Sequence, residues 1–317
     1  MRKSLWPFVR QKMASKFLGV DAGATKTRAV LYDAAGVMLY ESIQGHGNII
    51  VNEAIALQNV TNAIAQCLEQ VSETDQISLL LGMAGIDISN KSKQVKRSLE
   101  IKFPILQQVA VINDGYLGMV AALKGRDGVF VISGTGSVVY GQKQDTLLRV
   151  GGYGHLLGDE GSAYWIGYQL FKGLTYFIDT KQPVSPFYQA FLTSEGVSEA
   201  NASDLIRKFY TLTKQEVAEY ALWVSHLAES GNNEAIRLLK KAARALAKQV
   251  KLILNRLAFT PNFLFAFSGS VLVKNPVVLA ALLEQLPDVT LLKEVVEPTK
   301  AVYYYWTREE NRCLQLV

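Results

Sequence analysis

The chain has 317 residues, 49% of them hydrophobic and 19% charged, with a formal net charge of +5. That length suits two domains and the cleft that two domains create, and so large an apolar share lets burial offset chain entropy, which excludes a disordered polymer. The charge does not point to nucleic acid: Arg2, Lys3, Arg10, Lys12 and Lys16 place five positives in a stretch without acids, and residues 17–317 are formally neutral, so the body offers no net attraction for a phosphate backbone.

Met13-Ala-Ser-Lys stands directly before the first strand, so residues 1–16 read as an N-terminal extension, disordered or not native to the folded body. The apolar run LWPFV in that stretch is shorter than the core of a secretory signal. No segment approaches the length of a membrane-spanning helix, so no membrane partner is expected. Cys67 and Cys313 show neither metal spacing nor a disulfide framework, and a reducing cytoplasm is the expected location.

In chain order, FLGVDAGATKTRAVLYD (17–33) reads as two apolar strands joined by a small-residue hairpin, and GVMLYESI (36–43) alternates as a third antiparallel strand. Residues 52–71 set Ile55, Val60, Ile64, Leu68 and Val71 in a helical stripe. ISLLLGMAG (77–85) is then a buried strand, 90–100 a polar helix, QVAVIND (108–114) a strand and 115–124 a short helix. The pattern restarts with DGVFVISGTGSVVYG (127–141), a strand, a small-residue turn and a strand, followed by a third strand at 145–150. Residues 160–178 and 183–256 read as almost entirely helical, and the end returns to strand (263–269), helix (275–286), strand (289–292) and a final helix from Pro298. This is an α/β chain of two related halves: 17–124, and 125–298 with a helical insert at about 183–256. A C-terminal helix at about 299–317 is expected to pack back on the first half.

The chemistry concentrates at the two hairpin tips. Without a Cβ in the way, backbone N–H groups approach a phosphate closely. Gly23, Ala24, Thr25, Lys26 and Thr27 form one such tip, with hydroxyls and a countercharge added, and Gly134, Thr135, Gly136 and Ser137 form the other. A lone glycine-rich hairpin is ordinary; two at matching places could clamp one diphosphate. Asp21 ends its strand where a carboxylate could hold hydrated Mg²⁺. The Walker A pattern is absent, and the first tip runs on into a strand where a dinucleotide-binding turn would open a helix.

These stretches resemble the sugar kinase, heat-shock-70 and actin ATPase superfamily. Within it the chain is similar to the N-acetylglucosamine kinase branch of the BadF/BadG/BcrA/BcrD-type ATPases. The resemblance rests on GVDAGATKT (19–27), VINDGYLG (111–118), ISGTGSVVYG (132–141), GGYGHLLGDEGSAYWIG (151–167) and FAFSGSVLVKNP (265–276). It implies two actin-like, ribonuclease H-like ATPase domains, with ATP and Mg²⁺ as cofactors and Gly269 and Ser270 on the nucleotide. It also implies Asp114 as the base that deprotonates a sugar hydroxyl, and Asn48, Asp114, Gly154, His155 and Asp159 as sugar contacts. On residues alone, Asp114 also suits an N-cap for helix 115–124, Asp159 a cap for the helix from 160, and Asn48 a turn.

Two departures from the resemblance stand out. Val138 follows G-T-G-S where the animal N-acetylglucosamine kinases carry Asn, and no glycine follows Pro298. The expected activity is transfer of the γ-phosphate of ATP to an amino sugar, N-acetylglucosamine first, with glucosamine and N-acetylmuramic acid as alternatives. A homodimer is a possible assembly, with the helical insert as one cleft wall or a dimer surface. Two rivals remain: an ATPase activator of a 2-hydroxyacyl-CoA dehydratase or benzoyl-CoA reductase, and a sugar-sensing regulator without catalysis. The first needs two centrally placed cluster-binding cysteines. The second normally needs a helix-turn-helix, for which residues 1–16 are too short.

Overall fold

The computed structural model describes residues 16–144 and 146–307. The expected extension 1–16 lies outside the described residues except for Lys16, as do Cys313 and positions 308–317 of the expected C-terminal helix. The chain divides into two compact units, 16–125 with 295–307, and 126–294.

In the first unit, β1 (Lys16–Ala22), β2 (Thr27–Asp33) and β3 (Met38–Gln44) form an antiparallel meander. After α1 (Glu53–Leu68), β4 (Ile77–Met83) pairs parallel to β1; after α2 (Ile86–Ser89) and α3 (Ser92–Lys102), β5 (Leu106–Asn113) pairs parallel to β4, and α4 (Asp114–Ala122) follows. The sheet order is β3-β2-β1-β4-β5. All seven residues of β4 are buried, as a strand covered on both faces requires. Alternation sorts the side chains: Leu18, Leu31, Leu79 and Leu81 pack with α1 and α3, while Phe17, Val30, Tyr32 and Leu80 pack with α4 and the C-terminal segment. The polar helix expected at 90–100 is α3; the short α2 before it, ended by Asn90 at a left-handed φ of 53°, is not anticipated by the sequence reading.

The second unit repeats the wiring. A meander of β6 (Gly128–Ser133), β7 (Ser137–Lys143) and β8 (Thr146–Gly151) is extended by two strands parallel to β6: β9 (Phe263–Ser268) and β10 (Val289–Leu291), in the order β10-β9-β6-β7-β8. Between β8 and β9 run α5 (Ala163–Thr180), α6 (Pro186–Ser194), α7 (Ser203–Phe209), α8 (Lys214–Glu229) and α9 (Asn233–Arg256); α10 (Ser270–Lys274) and α11 (Pro276–Leu283) separate β9 from β10. Glycines at positive φ, Gly196 and Gly231, interrupt the helical run read from sequence. The 24-residue α9 lays Leu239, Ala243, Leu246, Val250 and Ile253 into the core of this unit. Among the described residues no helix is long and apolar enough to cross a membrane.

The chain end is sewn into the first sheet. Residues 298–300 form a 3-10 turn and 301–307 a helix, Ala301 and Val302 are fully buried, and the Tyr32 hydroxyl meets Thr299 Oγ1 at 2.8 Å. A Cβ on Gly19 would overlap the carbonyl oxygen of Thr299. Gly19→Ala is therefore expected to destabilise the protein by about 2–3 kcal/mol, since backbone rather than a pliable side chain must yield. Urea unfolding measures it, and an unchanged midpoint would mean the C-terminal segment does not bear on β1.

Candidate functional site

In the first unit, the expected residues gather where the parallel strands end. Asp21 is the penultimate residue of β1, paired with Gly82 of β4, and Met83 of β4 pairs with Asn113 of β5, so Asp114 emerges on the same edge. The carboxyl ends of parallel strands are where open α/β sheets place their ligands. Burial first, and then the charge of Asp114, pushes the Asp21 carboxyl up to about 6, while Lys26 and Arg28 pull the other way. Arg28 relieves only part of this, because Glu41 and Glu297 both bind it. The α4 start is capped by Asn113, whose Oδ1 accepts from Gly115 N at 2.9 Å; Asp114 Oδ1 lies at the same distance from that N–H. The cap therefore does not depend on Asp114.

At the first tip, Gly23 N donates to Lys26 O at 3.0 Å, and Ala24, Thr25 and Lys26 are exposed. Thr27 is wholly buried beneath Gly47, and its Oγ1 lacks a hydrogen-bond partner. Its hydroxyl therefore sits in the base of the turn, not at its crest. Asn48 belongs to a loop held on the end of β4 by Ile49 N donating to Ala84 O, and its Oδ1 accepts from Ile50 N at 2.9 Å. The turn role read from sequence is real, and Asn48 shares this edge with Asp21 and Asp114.

In the second unit the tip is braced from inside. Gly134 N donates to Gly136 O at 2.9 Å, Ala163 N donates to Gly134 O at 2.8 Å, and Ser133 Oγ and Ser137 Oγ donate to the carbonyls of Gly161 and Glu160. Gly269, at φ 89°, lets the chain pass so close that a Cβ there would overlap Ser133 O. Gly269 and Ser270 thus lie beside Gly134. A cavity of about 320 Å³ opens here, with Thr135 and Ser270 at one end, Ile166, Ala218 and Leu222 as apolar walls, and His226 among its polar lining. Apolar walls with a few polar groups suit a nucleoside.

Asp159 is 3% exposed with a left-handed φ of 61°. Its Oδ2 takes an ion pair from Lys214 Nζ at 2.9 Å and its Oδ1 lies 3.4 Å from Ser137 N. The cap expected of it is made by Ser162 instead, which accepts from Trp165 N at 3.1 Å, because α5 starts three residues later than the sequence suggests. Gly154 has open space where a Cβ would stand, and the His155 ring meets Tyr164 edge-on at 4.7 Å.

The family model described as the BadF/BadG/BcrA/BcrD ATPase family matches residues 18–301. The chain belongs to that family. An N-acetylmuramic acid/N-acetylglucosamine kinase of Clostridium acetobutylicum is 28% identical to this family member over 252 residues, 76% of this chain and 80% of that one. An N-acetyl-D-glucosamine kinase of Dictyostelium discoideum is 26% identical over 304 residues, 89% of this chain and 95% of that one. Among solved structures, a Chromobacterium violaceum protein assigned as an N-acetylglucosamine kinase matches with a TM-score of 0.64 at 22% identity, covering 92% of this chain and 98% of that one. The likeness shows the fold: α/β with two mixed sheets.

Two residues of this family member escaped sequence reading, Lys214 and Gln215, which reach Asp159 and Thr135 from the first turn of α8. The capping box Thr213-Lys-Gln-Glu216 announces that helix start; nothing local says where it docks. The carboxylate of Asp21 suits a hard divalent cation whose remaining positions water and phosphate oxygens would fill. No cluster of three or more potential metal-ligating side chains occurs among the described residues. Cys67 is buried, and burial pushes its thiol up to about 12, which makes it a poor cluster ligand.

The Asp21 carboxyl sits well above its ordinary 3.8. The folded state therefore holds more protons than the unfolded one between 3.8 and about 6, and stability from this group is present at low pH and lost as pH rises through 6. In metal-free protein, Asp21→Asn is expected to be the more stable at neutral pH by on the order of 2 kcal/mol, the gain vanishing in acid. Thermal unfolding in chelator across pH tests this; a wild type that outlasts the variant at neutral pH removes the strain.

Proposed function

We propose that this protein is an ATP-dependent amino-sugar kinase that transfers the γ-phosphate to a sugar hydroxyl, with N-acetylglucosamine as its acceptor and glucosamine and N-acetylmuramic acid as the alternatives. The relatives named for such kinases support the class. The observation that carries the mechanism is Asp114 at the carboxyl edge of the first sheet, facing Asp21 and free of sole responsibility for capping its helix.

Asp114 takes the proton of the acceptor hydroxyl as its oxygen bonds to the γ-phosphorus and the bond to the ADP oxygen breaks. Because that transition state is loose, alignment and charge neutralisation carry most of the rate. Mg²⁺ held at Asp21 would supply positive charge to the phosphates. Gly23 to Lys26 offer backbone and side-chain donors in the first unit; Gly134 to Ser137, Gly269 and Ser270 do so in the second, with the nucleoside in the cavity walled by Ile166 and Leu222. Asn48, Gly154, His155 and Asp159 are the proposed sugar contacts. Asp159 can serve only by sharing, since each carboxylate oxygen accepts more than one hydrogen bond. We read α6 to α9 as the helical insertion, and the reduced, buried Cys67 supports a cytoplasmic location.

Asp114→Ala is expected to lower turnover about 10²- to 10⁴-fold while leaving ADP affinity intact. Coupled ADP release against a panel of amino sugars, with phosphorus NMR of the product, reads both the rate and the acceptor. Near-full turnover in the variant would refute the assignment. Val138 is half-buried against Gly152, so Val138→Asn, by adding an amide, should lower KM for N-acetylglucosamine relative to glucosamine. A KM ratio that does not move would separate Val138 from sugar selection.

A further inference from the structure

A second cavity, of about 470 Å³, opens in the same unit away from every residue named above for nucleotide or sugar. Lys172 of α5 and Arg237, Lys241 and Arg244 of α9 line it, against a single carboxylate, Glu234. The three α9 cations stand at i, i+4 and i+7, one face of the helix. The floor is built: Phe187 and Tyr188 of α6 are buried there, and a side chain on Gly173 would overlap the Tyr188 hydroxyl. Burial, then Glu234, pushes that hydroxyl up to about 12, so it stays protonated and able to donate.

The cations are held without being neutralised. Lys241 Nζ donates to Gln169 Oε1 at 2.7 Å and lies 5.6 Å from the centre of the Trp165 ring; Lys172 lies 5.8 Å from that of Tyr168. No salt bridge reaches Lys172, Arg237, Lys241 or Arg244 among the described residues. Four exposed positive side chains thus gather around one concavity, where a single anion can meet several of them. Arginine forks with lysine point charges suit phosphate oxygens. Arg237 and Arg244 are seven residues apart, about 10 Å along the helix, the reach of a molecule charged at both ends. The groove is open to solvent, and its volume of about 470 Å³ matches a small metabolite.

We propose that this groove binds a small metabolite carrying two or more phosphates, at a site separate from the kinase centre. None of the four cations belongs to the catalytic or nucleotide machinery described above, so their loss should leave turnover alone.

The test is calorimetric titration of the full chain at fixed ionic strength, with saturating adenosine, which carries no phosphate, present to occupy the cavity beside Ser270. Three probes are used: fructose 1,6-bisphosphate, inorganic tripolyphosphate and orthophosphate. One-to-one binding of either polyphosphorylated probe, tighter than orthophosphate, is expected; which of the two binds tells a sugar bisphosphate from an inorganic chain. Arg237→Ala/Arg244→Ala should weaken that binding at least about tenfold, with kinase turnover unchanged. Lys172→Gln, from a different helix, should weaken it in the same direction. Equal affinity in wild type and the double variant, absence of binding by all three probes, or binding by polyglutamate alone would each overturn the proposal.

Discussion

The structure turns on two carboxylates that cannot both be ionised cheaply. Parallel pairing of β1, β4 and β5 brings their carboxyl ends to one edge, and the sequence ends the outer two on Asp21 and Asp114. Burial and mutual repulsion raise the Asp21 carboxyl to about 6, so its charge is costly to hold at neutral pH. Lys26 and Arg28 soften this, but Arg28 is shared with Glu41 and Glu297. A site in this condition gains most from a ligand that arrives with positive charge or gives up a proton. That is the electrostatic state a metal-assisted phosphoryl transfer with a carboxylate base requires.

The second sheet carries the same strand order with different chemistry. Where the first edge presents carboxylates, the corresponding edge here presents backbone. Ser133 and Ser137 turn their hydroxyls inward to the carbonyls of Gly161 and Glu160, so the tip is stiffened by its own side chains as well as by the Gly134 N–H to Gly136 O hydrogen bond. Asp159, packed against Gly136, has its charge offset by Lys214. Stiffness matters, because donors fixed beforehand need no reorganisation when phosphate arrives. One wiring diagram thus yields a charged edge and a neutral, donor-rich one.

Apolar runs at β1, β2, β4, β6 and β7, alternation at β3 and the small residues at both tips made the strands and turns legible, since these signals are local. What stayed hidden is non-local. No local rule says that Thr27 points into the base of its turn, that Ser162 rather than Asp159 caps α5, or that Lys214 reaches back to Asp159 across 55 positions. Each depends on which elements pack together. The four-residue α2, ended by Asn90, shows the complementary failure: an element too short to leave a helical period. The nucleoside cavity was half legible, through Gly269 and Ser270, because its other wall is set by the docking of α8.

Helix α5 ties these layers together. Its first turn donates Ala163 N to the tip carbonyl of Gly134, its next presents Ile166 to the cavity proposed for the nucleoside, and the following turns present Gln169, Lys172 and Gly173 to the basic groove. A helix capped by Ser162 and packed along Leu170, Phe171 and Leu174 moves as a body or not at all. Shifting it would break the hydrogen bond to Gly134 and uncover buried apolar area at once, which is far more costly than the gain from one anion at its exposed flank. Occupancy of the groove should therefore leave the Gly134 tip in place.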